Sequence, residues 1–209
     1  MFIVDADIHD NDTPEALAPY CDEPWRISLE SLTVTPGRYL DVPGYAPNMR
    51  LDPPIPGQHE QRSVHTPDQM RVELDGLGVD LGILFPDHLL LFATLPNIEY
   101  AVAVSHAYNR WMTEEWLGTR GLFGAILACP QDPIDSAAAI RQYGKHDKMV
   151  AVFLPTAGVN PLWGHRKYDP IFEAAQEMDL AVVFHSVTLT FPVFPCQLEQ
   201  FENLSLIHI

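Results

Sequence analysis

Four side chains in this sequence have the types and the spacing to hold a cation. The stretch FIVDADIH, Phe2 to His9, sets Asp5, Asp7 and His9 at alternate positions, and far along the chain AVVF runs directly into His185. At the two-residue period of a strand, Asp5, Asp7 and His9 share one face while Phe2, Val4, Ala6 and Ile8 make the other wholly apolar. Carboxylate oxygen and imidazole nitrogen projected side by side suit a divalent metal, zinc first and manganese second. Taken alone, a DxDxH run reads first as an edge strand with a solvated acidic face. The elements around it have to decide.

Those elements alternate. Thr66-Pro67-Asp68-Gln69 is a helix start with a threonine cap and proline at the first helical position, Gly76 and Gly78 end the helix, and Val79 to Phe85 is a strand. A second helix from near Pro96 leads to the strand Leu122 to Ala128, a third from Asp132-Pro133 to the strand Met149 to Leu154, and a fourth from Asp169-Pro170 to the strand Ala181 to Phe184. The later strands are near-continuous apolar runs, the mark of a parallel sheet covered on both faces. No GxGxxG follows the first strand, which favours a (β/α)8 barrel over a doubly wound dinucleotide-binding sheet. In a barrel, the carboxyl ends of strands carry the chemistry, so Asp7, His9 and His185 are expected at one mouth, and the metal reading overtakes the solvated edge. His88 and His165 lie in loops after strands and are candidates to touch substrate. Arg166 is a candidate donor to a substrate carboxylate. The proline- and glycine-punctuated segment 33–65 leaves the ligand-bearing strand end and is expected to form a lid or pocket wall.

Composition bounds the partners. At 209 residues, 47% hydrophobic and 19% charged, the chain reads as one globular domain over residues 1–209. Twelve Lys and Arg against 28 Asp and Glu leave a net charge of -16, which disfavours nucleic acid and anionic membrane surfaces. Cys21, Cys129 and Cys196 have no CxxC spacing, so neither a disulfide framework nor a zinc ribbon is indicated. With no signal peptide and no membrane-spanning run visible, a cytoplasmic protein is expected.

FIVDADIH, AYNRWMTEEW in the second helix and, above all, YDPIFEAAQEMDLAVVFH near the end resemble the amidohydrolase-related proteins, the group that includes aminocarboxymuconate semialdehyde decarboxylase. The resemblance implies a metal-dependent (β/α)8 barrel whose first-strand ligand pair maps to Asp7 and His9, with Asp5 in support, and whose fifth-strand ligand maps to His185. It implies hydrolysis of a small carboxylated or cyclic substrate, with non-oxidative decarboxylation as the alternative. It also implies a further ligand and acid/base group, an aspartate from an eighth strand. A (β/α)8 barrel typically takes ~250 residues, so this chain is expected to supply about five strands and part of a sixth, and no catalytic acid/base is assigned. The rival reading is a catalytically incompetent fragment, at most a metal or ligand binder, associating with itself through its open sheet edges. His208, in the closing LSLIHI, is not assigned as a ligand.

Overall fold

From the second strand on, helix and strand alternate, each apolar run becoming a strand and each intervening amphipathic stretch a helix. The computed structural model describes residues 1–34, 64, 66–156 and 158–185. Most of the 33–65 segment, with His59 and His65, lies outside the described residues, as do Cys196 and His208. The strands are β1 (Val4–His9), β2 (Leu81–Phe85), β3 (Leu122–Leu127), β4 (Met149–Pro155) and β5 (Ala181–His185). Two helices, α1 (Pro14–Leu17) and α2 (Trp25–Val34), follow β1. Then α3 (Pro67–Leu77) precedes β2, α4 (Ile98–Trp111) joins β2 to β3, α5 (Pro133–Tyr143) joins β3 to β4, and α6 (Asp169–Glu177) joins β4 to β5.

The helix signals act as read. The Thr66 hydroxyl accepts from the Gln69 N–H, and Gly78 closes α3 at φ 74°, a left-handed position where a side chain would be strained. Asp132 caps α5 through the N–H groups of Ile134 and Asp135.

Among the described residues five strands, all parallel, pair in the order β1-β2-β3-β4-β5. Sequential order with crossovers of one hand puts every helix on the same side, so the opposite side becomes the inside of a curl. The degree of curl can be read from β1 and β5. Four strand spacings along a flat sheet would separate them by about 19 Å, yet the rings of His9 and His185 stand 5.0 Å apart, edge to face. The sheet is therefore about half of a (β/α)8 barrel, with Phe85, Phe153 and His185 in mutual ring contact. Its core includes Leu84, Ile126, Val152 and Phe153, none of them exposed. Among the described residues no helix is long and apolar enough to cross a membrane.

One local expectation is corrected. The first strand begins at Val4, leaving Phe2 outside it, and it is not a regular alternation. Asp5 pairs with Gly82 and Ile8 with Leu84, so Ala6 and Asp7 together stand opposite Ile83. This bulge shifts the side-chain parity, setting Asp5 on the face of Ile8 rather than that of His9.

Candidate metal centre

The bulge in β1 changes where its carboxylates point. The Asp7 N–H, displaced from the ladder, donates to the Asp5 carboxylate at 3.1 Å. Asp5 thus supports the bulged peptide, while Asp7 itself reaches the inside of the curl. There its Oδ1 stands 3.2 Å from His185 Nε2 and 3.7 Å from His9 Nε2. One donor atom from each of Asp7, His9 and His185 lies within 4.8 Å of the others.

Whether these groups suit one ion can be tested on their spacing and tautomers. Two atoms each bound at about 2.1 Å to a common zinc can be at most about 4.2 Å apart, so both separations from Asp7 fit as they stand. His9 Nδ1 lies 2.8 Å from the Pro86 carbonyl oxygen. A carbonyl only accepts, so Nδ1 carries the proton and the Nε2 lone pair faces the cluster. Metal-bound histidines are held by this kind of contact. The side chain of His185 is 15% exposed, against 69% for Asp7, so the imidazole is the anchored member and the carboxylate the accessible one.

Sequence reasoning passed over the carboxylates that follow His9. Asp10 and Asp12 are both buried. Asp10 accepts from the Tyr108 hydroxyl at 2.7 Å. Asp12 accepts from three successive backbone N–H groups, those of Asp87, His88 and Leu89, at 3.0, 2.6 and 3.0 Å. Burial, with the neighbouring Asp12 adding to it, raises the Asp10 carboxyl well above the usual range. Burial also pushes Asp12 up to about 8, against the opposing pull of those N–H donors. An acidic pair just before the α1 cap gives no sequence signal of burial, since Asp before a helix ordinarily reads as a solvated cap.

A pH dependence follows. Unfolded carboxyls release their protons near pH 4, whereas in the folded protein burial holds the Asp10 proton well above that and the Asp12 proton until about pH 8. Between those limits the folded state binds more protons, so this contribution to stability is full below about pH 4 and falls as pH rises towards 8. Urea midpoints at pH 5 and pH 8 should show it, the drop being smaller in Asp12→Asn than in the parent. Equal drops in the two proteins would refute it.

The three candidates for substrate contact follow β2 (His88) and β4 (His165 and Arg166). The His88 N–H donates to Asp12, and its side chain is half-buried. His165 caps the short turn Arg166–Tyr168 by accepting from the Lys167 N–H. Arg166 is 95% exposed, with Asp169 at 3.7 Å. A cavity of about 170 Å³ opens among the loops after β2, β3 and β4, and Gln131, Asn160 and Lys167 are among its polar lining residues. Its cation is the residue after Arg166, a distinction no spacing rule could have made. Trp163 is buried, its indole N–H donating to the Pro155 carbonyl.

A family model described as amidohydrolase matches residues 92–207, more than half of the chain. No curated protein matches the sequence. Among solved structures, an amidohydrolase from Mycobacterium avium subsp. paratuberculosis superposes with a TM-score of 0.58 at 16% identity, over 88% of this chain and 58% of that one. The 5-carboxyvanillate decarboxylase of Sphingomonas paucimobilis gives 0.54 at 17%, over 88% and 51%. That of Novosphingobium aromaticivorans, complexed with manganese and 4-hydroxy-3-methoxy-5-nitrobenzoic acid, gives 0.51 at 16%, over 88% and 49%. At such identities the likeness is one of fold. The chain spans about half the length of these structures.

Proposed function

The chain belongs to the amidohydrolase family, and from that premise we propose that Asp7, His9 and His185 hold a divalent cation in a metal-dependent enzyme of which this chain carries about half the barrel. The observation that carries the reading is the meeting of the two outer strands: the curl brings a carboxylate and two imidazoles, distant in sequence, to one point at the strands' carboxyl ends. Family membership supplies the reaction class, metal-assisted hydrolysis of a small carboxylated or cyclic substrate. A bound cation would supply Lewis acidity, polarising a substrate oxygen or lowering the pKa of a water. The chain's own residues do the rest. His9, held through Nδ1, and His185, packed against Phe85 and Phe153, keep their rings in place beside the exposed Asp7 carboxylate. Oxygen and imidazole donors together suit zinc and also manganese.

Decarboxylation of an aromatic or unsaturated acid is the second reading. It is favoured by the fold shared with two 5-carboxyvanillate decarboxylases, one of them with manganese bound.

The test uses the full-length protein loaded with zinc or with manganese and a panel of small lactones and aromatic carboxylic acids. Uptake of labelled oxygen from water marks hydrolysis, and release of carbon dioxide marks decarboxylation. Either should be abolished by chelation and restored by metal. A protein that binds no divalent metal, or whose turnover ignores chelation, would remove the proposal.

A further inference from the structure

Residues 9–12 are fastened to residues 85–89 by successive contacts. The Asp10 N–H donates to the Phe85 carbonyl at 2.9 Å, extending the β1–β2 pairing by one bond. The His9 ring donates to the Pro86 carbonyl at 2.8 Å. The Asp12 carboxyl, itself 0% exposed, then collects the N–H groups of Asp87, His88 and Leu89. Two of these contacts share one peptide unit. The carbonyl of Pro86 and the N–H of Asp87 lie in a single plane and, in a trans peptide, point in opposite directions. His9 therefore holds one side of that plane and Asp12 the other.

We propose that Asp12 is a positioning residue for His9, acting through the Pro86–Asp87 peptide. Gripping the Asp87 N–H sets the rotation of the peptide plane and so the direction of the Pro86 carbonyl. That carbonyl fixes the His9 ring as the Nδ1–H tautomer and turns Nε2 towards Asp7 and His185. The adjacent N–H groups of His88 and Leu89 make the grip specific, because a carboxyl offers two acceptor oxygens to three converging donors. Pro86 has no N–H of its own and a restricted φ, so the freedom that remains at this peptide lies largely in the rotation that Asp12 controls. The metal-affinity part of this inference rests on the metal-centre reading, while the part concerning the His9 ring does not.

The test compares the full-length protein with its Asp12→Asn and Asp12→Ser variants, and with His185→Ala as the reference for the metal centre. An amide offers one acceptor oxygen and turns an NH2 towards one of the three donors; serine keeps a single, shorter acceptor. In metal-free protein, nitrogen-15 spectra of the histidine rings should show His9 as one Nδ1–H tautomer in the parent and as a mixture in Asp12→Asn, with Asp12→Ser between them. Manganese titration by calorimetry should show affinity reduced about 10–100-fold in Asp12→Asn, the range found when partners behind a ligating histidine are removed. A purely structural role would lower the unfolding midpoint but leave the tautomer of the folded protein unchanged. Parent-like tautomer and affinity in a folded Asp12→Asn would overturn the proposal, as would an Nε2–H ring in the parent. If the parent binds no manganese, or His185→Ala binds it equally well, the metal-centre reading fails instead, and the tautomer alone decides the role of Asp12.

Discussion

His185→Ala in the full-length protein is expected to lose metal affinity by about 100-fold or more, exceeding the 10–100-fold range for residues that only support a ligand. His185 is the least exposed donor of the cluster, and its Nε2 lies nearest to Asp7. Losing it removes one of the three donor groups and the group in contact with Phe85, Phe153 and His9. The remaining pair, Asp7 and His9, sits two residues apart on one strand and offers no second wall. Elemental analysis after dialysis against a competing chelator checks this, with far-ultraviolet circular dichroism to establish that the variant is folded. Metal content equal to the parent's would rule out His185 as a main ligand and return the cluster to an acid bridging two structural histidines.

The second large effect is expected on stability, at Asn109. This residue of α4 is fully buried, and its amide meets both backbone groups of Leu127: its Nδ2 donates to the carbonyl at 3.1 Å and its Oδ1 accepts from the N–H at 2.8 Å. The pairing of β2 with β3 runs only to Leu84 and Gly124, whereas β4 stays with β3 as far as Leu127 and Phe153. The next residue, Ala128, donates to the Phe153 carbonyl on the β4 side, so Leu127 points its backbone groups the other way. Asn109 stands in for the missing strand. Asn109→Leu fills the volume but leaves two buried polar groups unmatched, at about 1–3 kcal/mol each. Urea denaturation should therefore show a loss of about 2–5 kcal/mol. A loss below about 0.5 kcal/mol would mean that water or a backbone shift replaces the amide.

Periodicity and composition were sufficient for the architecture. Apolar runs with helix starts at Thr66, Asp132 and Asp169 determined the alternation, and the absence of a glycine-rich turn after β1 pointed to a barrel. These are local signals: a cap needs three residues and a strand about five, so the chain states them in one place. That Asp7, His9 and His185 come near one another was legible from similarly local signals, an alternating strand that turns polar towards its carboxyl end and an apolar run closed by histidine. The start of β1 and its even alternation were misread because a bulge is set by the register against β2, and residues 2–9 alone contain no trace of Gly82 and Leu84.

What only the tertiary structure decided is the environment of groups whose partners are far away in sequence. Nothing local marks Asn109 as the partner of Leu127, which follows from β2 leaving β3 before that residue. Asp10 and Asp12 read as solvated acids until Tyr108 and residues 87–89 close over them. Arg166 and Lys167 are equivalent cations in sequence, and only the fold puts one beside Asp169 and the other at a cavity. Sequence determines which groups are available and at what local period they project. Burial and the pKa shifts and hydrogen bonds that follow from it are set by surfaces meeting across tens to hundreds of residues, and no local pattern encodes them.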